Sequence, residues 1–287
     1  MKILTRHRGP KLTRMTGAGN TFFLVDGISG VMNSVDRPSF VRRACRGLAG
    51  LHADGVVILE QDSKVDFRWD FYNDDGSSAE MCGNAARCAA LFYFAEIQGS
   101  SPSHKKIDFQ TGAGLVHAVL ISDNQVRVEL PRLKSLGRLV SLNRQATDLG
   151  SAAHARGGRS HEYYLIDTGV PHVVVEAEPD LALAKSIRWA PELGQTGANV
   201  TFVHLSDAAV IQAVTFERGV EDFTLACGTG AVAAAALARD KKSGLSTWTV
   251  EMPGGELQVE WIGERSAALV GEAHFEFDVQ LDESEGE

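Results

Sequence analysis

The chain has 287 residues, a formal net charge of −9 and 44% hydrophobic residues, enough for a sizeable core in one large domain or two of ordinary size. The acidic balance argues against a nucleic-acid-binding surface, which needs a basic stripe. No run approaches the ~20 apolar residues of a membrane-spanning helix.

The first residues carry Lys2, Arg6, Arg8, Lys11 and Arg14 and read as a solvated N-terminal arm. No apolar segment of the secretory type follows them, so a cytoplasmic protein is expected. Strands are predicted at Phe22–Asp26 and Val56–Glu60, with a short helix near Pro38–Leu48 between them. A third strand follows, in which Val65, Phe67, Trp69 and Phe71 alternate with polar residues. A turn-rich loop, Asn73-Asp74-Asp75-Gly76, then leads to an alanine-rich helix opened by Cys82-Gly83. Strands follow at Lys106–Gln110, Leu115–Ile121 and Val126–Leu130. Residues Lys134–Ser160, rich in Gly, Ser, Arg and Ala, read as linker and loop. Beyond them come strands at Tyr163–Asp167 and Val173–Glu176, a short helix near Asp180–Trp189, and strands at Asn199–Leu205 and Val210–Phe216. A second polar loop, Gly219–Asp222, precedes a second alanine-rich helix opened by Cys227-Gly228. Strands at Thr247–Glu251, Leu257–Trp261 and Ala267–Val270 complete the pattern, and the acidic tail Leu281–Glu287 is expected to be disordered.

Two of these segments repeat one another. Phe71–Leu91 aligns with Phe216–Ala236 at a constant offset of 227 − 82 = 145, which places Phe71 on Phe216, Cys82-Gly83 on Cys227-Gly228, and Ala86, Ala89 and Ala90 on Ala231, Ala234 and Ala235. An offset near half the chain length predicts two domains of one fold. The expected class is α/β (α+β): two pseudo-symmetric domains, each a mixed or antiparallel curved sheet wrapped around a central helix, over residues 13–131 and 161–277. Residues 132–160 would link them, and the last strand is a candidate to return to the first domain. The second helix is nearly apolar all round, as a helix buried on every side must be.

A cysteine at a helix start sits among unpaired backbone N–H groups and at the positive end of the helix dipole, which favours thiolate over thiol. The same N–H groups can hold an anion, and the glycine after each cysteine lets a ligand approach. If the two repeats face each other, one substrate carboxylate can be held by both helix ends with a sulfur on either side of the adjacent carbon. That suits inversion at an α-carbon, in which one thiolate removes the proton and the opposite thiol returns one. Cys45 and Cys88 read as buried structural cysteines. Neither Cys82 nor Cys227 belongs to a cluster with zinc-ligand spacing, no phosphate-binding glycine motif follows a strand, and no lysine lies in a pyridoxal-type motif. No metal and no cofactor are expected.

The sequence resembles the diaminopimelate epimerases, pyridoxal-independent enzymes of lysine and peptidoglycan biosynthesis. The matching blocks are MTGAGNTFFLVDG at Met15–Gly27, FYNDDGSSAEMCGNAARC at Phe71–Cys88, DTGVPHVVV at Asp167–Val175, GANVTFVHL at Gly197–Leu205, FERGVEDFTLACGTGA at Phe216–Ala231 and MPGGELQV at Met252–Val259. Asn84 stands where the related proline racemases usually carry histidine, so MCGN points to the epimerase branch. The resemblance implies an active site in the cleft between the domains, with Cys82 and Cys227 as the acid/base pair, His172 serving Cys82 and Glu217 serving Cys227. It implies that backbone N–H groups at Gly83, Asn84, Gly228 and Thr229 hold the reacting carboxylate, and that Asn20, Asn73, Asn199 and Arg218 recognise the distant end of the substrate. A small amino-acid substrate and a homodimer are expected, with no nucleic-acid or membrane partner. As residue types alone, His172 also fits a core histidine, Asn73 a turn and Arg218 a surface ion pair.

The chain departs from the family at Thr21, Gly55, Val170 and Phe223, which stand where Asp, Gln, Asn and Glu are usual. The cysteines are untouched, while Val170 removes a polar group where the second zwitterion of the substrate would be read. Three functions are therefore weighed: diaminopimelate epimerase, a racemase of another amino acid on the same scaffold, and a non-catalytic binding relative. Two reactive thiols have no use in the third.

Overall fold

A computed structural model describes residues 8–47, 52–99, 105–142, 161–206, 208–242 and 244–282. Packing within the chain falls into two compact units, Met1–Val128 with Gly271–Glu287, and Glu129–Val270. No helix among the described residues is long and apolar enough to cross a membrane.

Unit 1 is built on β1 (Arg8–Gly17), β2 (Asn20–Asp26), β3 (Gly55–Glu60), β4 (Phe67–Asn73), β5 (Lys106–Thr111), β6 (Gly114–Leu120), β7 (Gln125–Glu129) and the chain's last strand, β17 (His274–Asp282). Their lateral order is β17-β1-β2-β3-β4-β5-β6-β7. The β2–β3 and β4–β5 pairs are parallel and the others antiparallel. The parallel pairs are joined by helices, as parallel neighbours require: α1 (Arg37–Gly47) between β2 and β3, and α2 (Gly83–Phe92) between β4 and β5. A π-helical turn, Tyr93–Ile97, continues α2.

Unit 2 repeats this plan with β8 (Ser135–Leu142), β9 (His161–Asp167), β10 (Pro171–Glu176), β11 (Asn199–Leu205), β12 (Val210–Glu217), β13 (Asp222–Thr224), β14 (Thr247–Met252), β15 (Gly255–Trp261) and β16 (Ala267–Glu272). The order β8-β9-β10-β11-β12-β14-β15-β16 has the same succession of senses, with β10–β11 and β12–β14 parallel. Helices α3 (Leu181–Arg188) and α4 (Gly228–Lys241) occupy the positions of α1 and α2. The short β13 pairs with β12, where unit 1 has a single bridge between Tyr72 and Ser78.

The alanine-rich helices explain the curvature. Every residue of α2 is buried, and α4 is buried from Gly228 to Ala238 except at Thr229. Helix α4 touches β8, β9, β10, β11, β12, β14 and β15. Seven strands laid flat would span about 30 Å at their usual spacing, against a helix diameter of about 10–12 Å, so the sheet must wrap around it. Small side chains let the strands approach from all sides. Helices α1 and α3 pack on the outer face of their sheets against separate apolar clusters.

Two expectations need correction. Residues 8–17 are no solvated arm: β1 pairs with both β2 and β17, and Leu12 and Met15 are fully buried. Lys11 pairs with Glu96 and Asp278, and Arg14 with Glu276, so the charges sit on a core strand. Residues 135–142, read as linker, form β8 in antiparallel register with β9. Residues 143–160 of that stretch and 283–287 of the acidic tail lie outside the described residues, while Leu281 and Asp282, expected in the disordered tail, end β17.

Candidate active site

Each thiol of interest sits at a helix cap, Cys82 ahead of α2 and Cys227 ahead of α4. Both caps are extended, with φ/ψ of −146°/123° and −131°/106°, and neither has a side-chain capping hydrogen bond. Each cap carbonyl accepts the first helical bond, from Ala86 and from Ala231. Helix α3 differs, because the Asp180 carboxylate accepts from the Leu183 N–H at 2.9 Å. The two cysteine-headed helices thus leave the N–H groups of their first turns untaken by any side-chain cap, as an anion-binding helix start requires.

In unit 1 a polar chain runs back from this helix start. Arg87, fully buried in α2, donates from Nη2 to Asn84 Oδ1 at 2.9 Å. Asn84 Nδ2 donates to Asn20 Oδ1 at 2.6 Å, and Asn20 Nδ2 to Asp54 Oδ2 at 3.3 Å. The same carboxylate oxygen accepts from the Thr21 N–H at 2.7 Å. A donor-only guanidinium at one end and an acceptor-only carboxylate at the other fix both amide orientations. The Asn73 side chain is not one of these links; it donates to Ser77 Oγ at 3.0 Å within its own turn.

In unit 2 the chain runs through His172, which is completely buried on β10. Its Nδ1 is 2.9 Å from Thr201 Oγ1, and its Nε2 is 3.0 Å from Thr229 Oγ1 and 3.2 Å from Asn199 Nδ2. Thr229 Oγ1 lies 3.4 Å from Cys227 Sγ, so this path joins His172 to Cys227, whereas the resemblance paired His172 with Cys82. Burial, reinforced by the charge of Arg218, pushes the imidazole down to about 3, so it is neutral at working pH. Thr201 in turn bonds Thr215 Oγ1 at 3.1 Å. Gly230 keeps α4 close to these threonines, since a Cβ there would lie 2.3 Å from Thr215 Oγ1. At the end of β12, half-buried Glu217 accepts from Thr224 Oγ1 on β13. The neighbouring Arg218 uses its backbone N–H to bond Asn199 Oδ1 at 2.7 Å.

The remaining cysteines are chemically quiet. Burial pushes both the Cys45 and the Cys88 thiol up to about 12, and both pack in apolar clusters.

Two of the four departures have local explanations. Phe223 packs edge-on to Phe202 and Phe216 at 5.9 and 5.7 Å, which a carboxylate could not do. Gly55 lies where a Cβ would be 2.4 Å from the Tyr72 carbonyl oxygen, so β3 and β4 approach more closely than a side chain permits. Thr21 contributes its backbone to the Asp54 carboxylate. Val170 is half-buried, and its carbonyl accepts from Thr168 Oγ1 at 3.2 Å; nothing in the structure explains its side chain.

Sequence reasoning missed the side chains of Arg87, Asp54, Thr201 and Thr215, and the bridging hydroxyl of Thr229. Arg87 left a signal, as a lone charge inside an apolar helix. So did Thr201 and Thr215, which face each other in the β11–β12 register at positions where a buried strand is normally apolar.

The family model for diaminopimelate epimerase matches residues 12–133 and 164–276. A diaminopimelate epimerase of Archaeoglobus fulgidus is 35% identical over 275 residues, covering 93% of this chain and 94% of that protein. One from Campylobacter jejuni subsp. doylei is 37% identical over 224 residues, covering 77% and 78%. Among solved structures, a hydroxyproline epimerase from Agrobacterium vitis shares the fold at a TM-score of 0.65 and 16% identity, over 95% of this chain and 90% of that one. A PhzF-family phenazine biosynthesis protein from Enterococcus faecalis does so at 0.66 and 13%, over 95% and 98%. With both halves of the chain matched and the relatives aligned along most of their length, this protein belongs to the diaminopimelate epimerase family.

Proposed function

We propose that the protein epimerises diaminopimelate between its LL and meso forms by a two-thiol mechanism without a cofactor. The observation that carries this is the repeated helix start: each unit presents one cysteine at an extended cap, followed by glycine, with the first-turn N–H groups untaken by a side-chain cap. One thiolate removes the α-proton and the other thiol delivers a proton to the opposite face, so the pair exchanges protonation states at each turnover. The N–H groups at Gly83, Asn84, Gly228 and Thr229 hold the α-carboxylate and stabilise the charge that develops beside it. His172 and Glu217 assist the thiols, His172 as a neutral acceptor. Asn20, Asn73 and Arg218 read the distant end of the substrate, while Asn199 holds His172 and the Arg218 backbone in place. The protein works in the cytoplasm as a homodimer, which light scattering checks.

The test is deuterium incorporation at the α-carbon from heavy water, with LL-diaminopimelate and the common amino acids as substrates. Exchange with diaminopimelate, lost in Cys82→Ala and Cys227→Ala, is the expected result. Val170 favours a second reading, a racemase of another amino acid, because it places an apolar side chain where the family reads the second zwitterion. Exchange with another amino acid and none with diaminopimelate would establish that alternative.

A further inference from the structure

Arg87 is a cation in an unusual place. It is fully buried, and its hydrogen bonds go to three neutral oxygens: Asn84 Oδ1 at 2.9 Å, the Gly83 carbonyl at 3.3 Å and the Glu272 carbonyl at 3.5 Å. A buried charge held only by neutral partners is costly, and an anion within reach would offset that cost.

The ionisable groups whose charge acts on the guanidinium are the thiols of Cys88 and Cys82. Cys88 is a neutral thiol, because burial holds it far above its ordinary range. That leaves Cys82. Among the described residues, the charged side chains on the elements packed against α2 are engaged elsewhere: Lys11 with Glu96 and Asp278, Arg14 with Glu276, His117 with Asp108, and Glu60 with Arg37 and Arg68, while the Asp54 carboxylate is joined to Arg87 only through the amides of Asn20 and Asn84. The Asp26 carboxylate on β2 accepts from the Ile28 N–H.

The second repeat lacks this arrangement. At the offset of 145, Arg87 corresponds to Val232, which is fully buried, and the first basic residue of α4 is Arg239, three turns beyond Cys227. From Cys227 the hydrogen bonds run through Thr229 to the neutral His172, and from His172 through Asn199 to the backbone N–H of Arg218. The repeat is therefore symmetric in its thiols and asymmetric in the placing of its cations: Arg87 is fully buried within α2, whereas Arg218 is half-buried at the end of β12 beside Glu217.

We propose that Arg87 is a positioning residue whose buried guanidinium is the counter-charge of a Cys82 thiolate in the resting protein, leaving Cys227 as the resting thiol. Charge coupling is reciprocal: whatever the thiolate contributes to the cation, the cation contributes to the thiolate. Arg87 also orients Asn84, whose N–H lies in the first turn beside Cys82, so one side chain sets both the base and part of the anion site. The assignment rests on the two-thiol reading only for its catalytic consequence, since the protonation of the resting thiols is measurable without any substrate.

The experiment follows alkylation by iodoacetamide against pH in the intact protein, with each cysteine resolved by mass spectrometry. The half-rate pH reports ionisation and is independent of how accessible the sulfur is. Cys82 is expected to ionise at least about one pH unit below Cys227. Arg87→Met, which keeps the length and drops the charge, should raise the Cys82 half-rate pH by about one unit or more and leave that of Cys227 in place. Wild-type protein in which Cys227 ionises first overturns the proposal, whether or not the variant folds. So does an Arg87→Met variant of unchanged circular dichroism in which the Cys82 profile does not move. Failure to exchange deuterium into any amino acid would refute the function and leave this result standing.

Discussion

Asn199 decides which nitrogen of His172 carries the proton. Its Oδ1 accepts from the Arg218 N–H at 2.7 Å, so its Nδ2 must face His172 Nε2, 3.2 Å away. Nε2 is then an acceptor, and Nδ1–H donates to Thr201 Oγ1. With the Thr229 hydroxyl also donating to Nε2, its oxygen is left to accept from the Cys227 thiol, and the path from sulfur to imidazole has one direction.

Asn199→Asp tests this directly. It replaces the donor facing Nε2 with an acceptor and adds a negative charge, which favours imidazolium. The His172 titration, followed by NMR of the ring, should rise well above its value of about 3. Turnover should fall by about tenfold or more, the equivalent of one charge-assisted hydrogen bond. An unchanged titration would refute the fixed tautomer.

Thr229→Val removes the hydroxyl between Cys227 and His172 while keeping the shape of the side chain. The lost bridge is worth ~1.5–3 kcal/mol if the thiolate depends on it, so kcat should drop by about 10- to 100-fold. Thr229→Ser should keep most of the activity. An unchanged kcat in Thr229→Val would show that the hydroxyl bridge is not used.

His172 also makes stability depend on pH. Its folded value is depressed to about 3 from the ordinary 6.5, so the unfolded chain takes up a proton that the folded chain refuses. The contribution is complete above about pH 6.5 and is lost as pH falls from there towards 3, at no more than about 1.4 kcal/mol per pH unit. Denaturant titrations between pH 6.5 and 4 should show this slope, and His172→Gln should flatten it.

Gly230→Ala places a methyl 2.3 Å from Thr215 Oγ1 and should destabilise the protein by ~1–3 kcal/mol through overpacking. Adding Thr215→Ala should recover part of that loss, because the two changes share one contact. Strictly additive effects in a thermal melt would show that the clash lies elsewhere.

Much of this molecule was legible as pattern. The constant offset of 145 marked the two helix starts, and the all-apolar face of α4 announced a helix enclosed by sheet. Strand β1 was not legible, for a physical reason: Leu12 packs in the cluster around α1 and Met15 in the cluster around α2, on opposite faces of the sheet. A strand buried on both sides, with Lys11 before Leu12, Arg14 before Met15 and a register shift at Arg14–Met15, shows no simple alternation. The cysteines and the glycines after them could be read because their chemistry depends on residue type and position along the chain. The proton path could not, because Thr201, Thr215 and Thr229 meet His172 only through strand register and helix docking.

The place of β17 bears on the order in which the chain matures. Unit 1 is completed by a strand that pairs with β1 across residues drawn from the two ends of the sequence, Arg8 with Asp282 and Thr16 with His274. Unit 2 is continuous from Glu129 to Val270. During synthesis at about 5–20 residues per second, the edge of β1 stays uncovered until the last strand has left the ribosome, while the second unit already has all of its strands. The half made first is thus the half finished last, and until then its open edge needs protection from pairing with another chain.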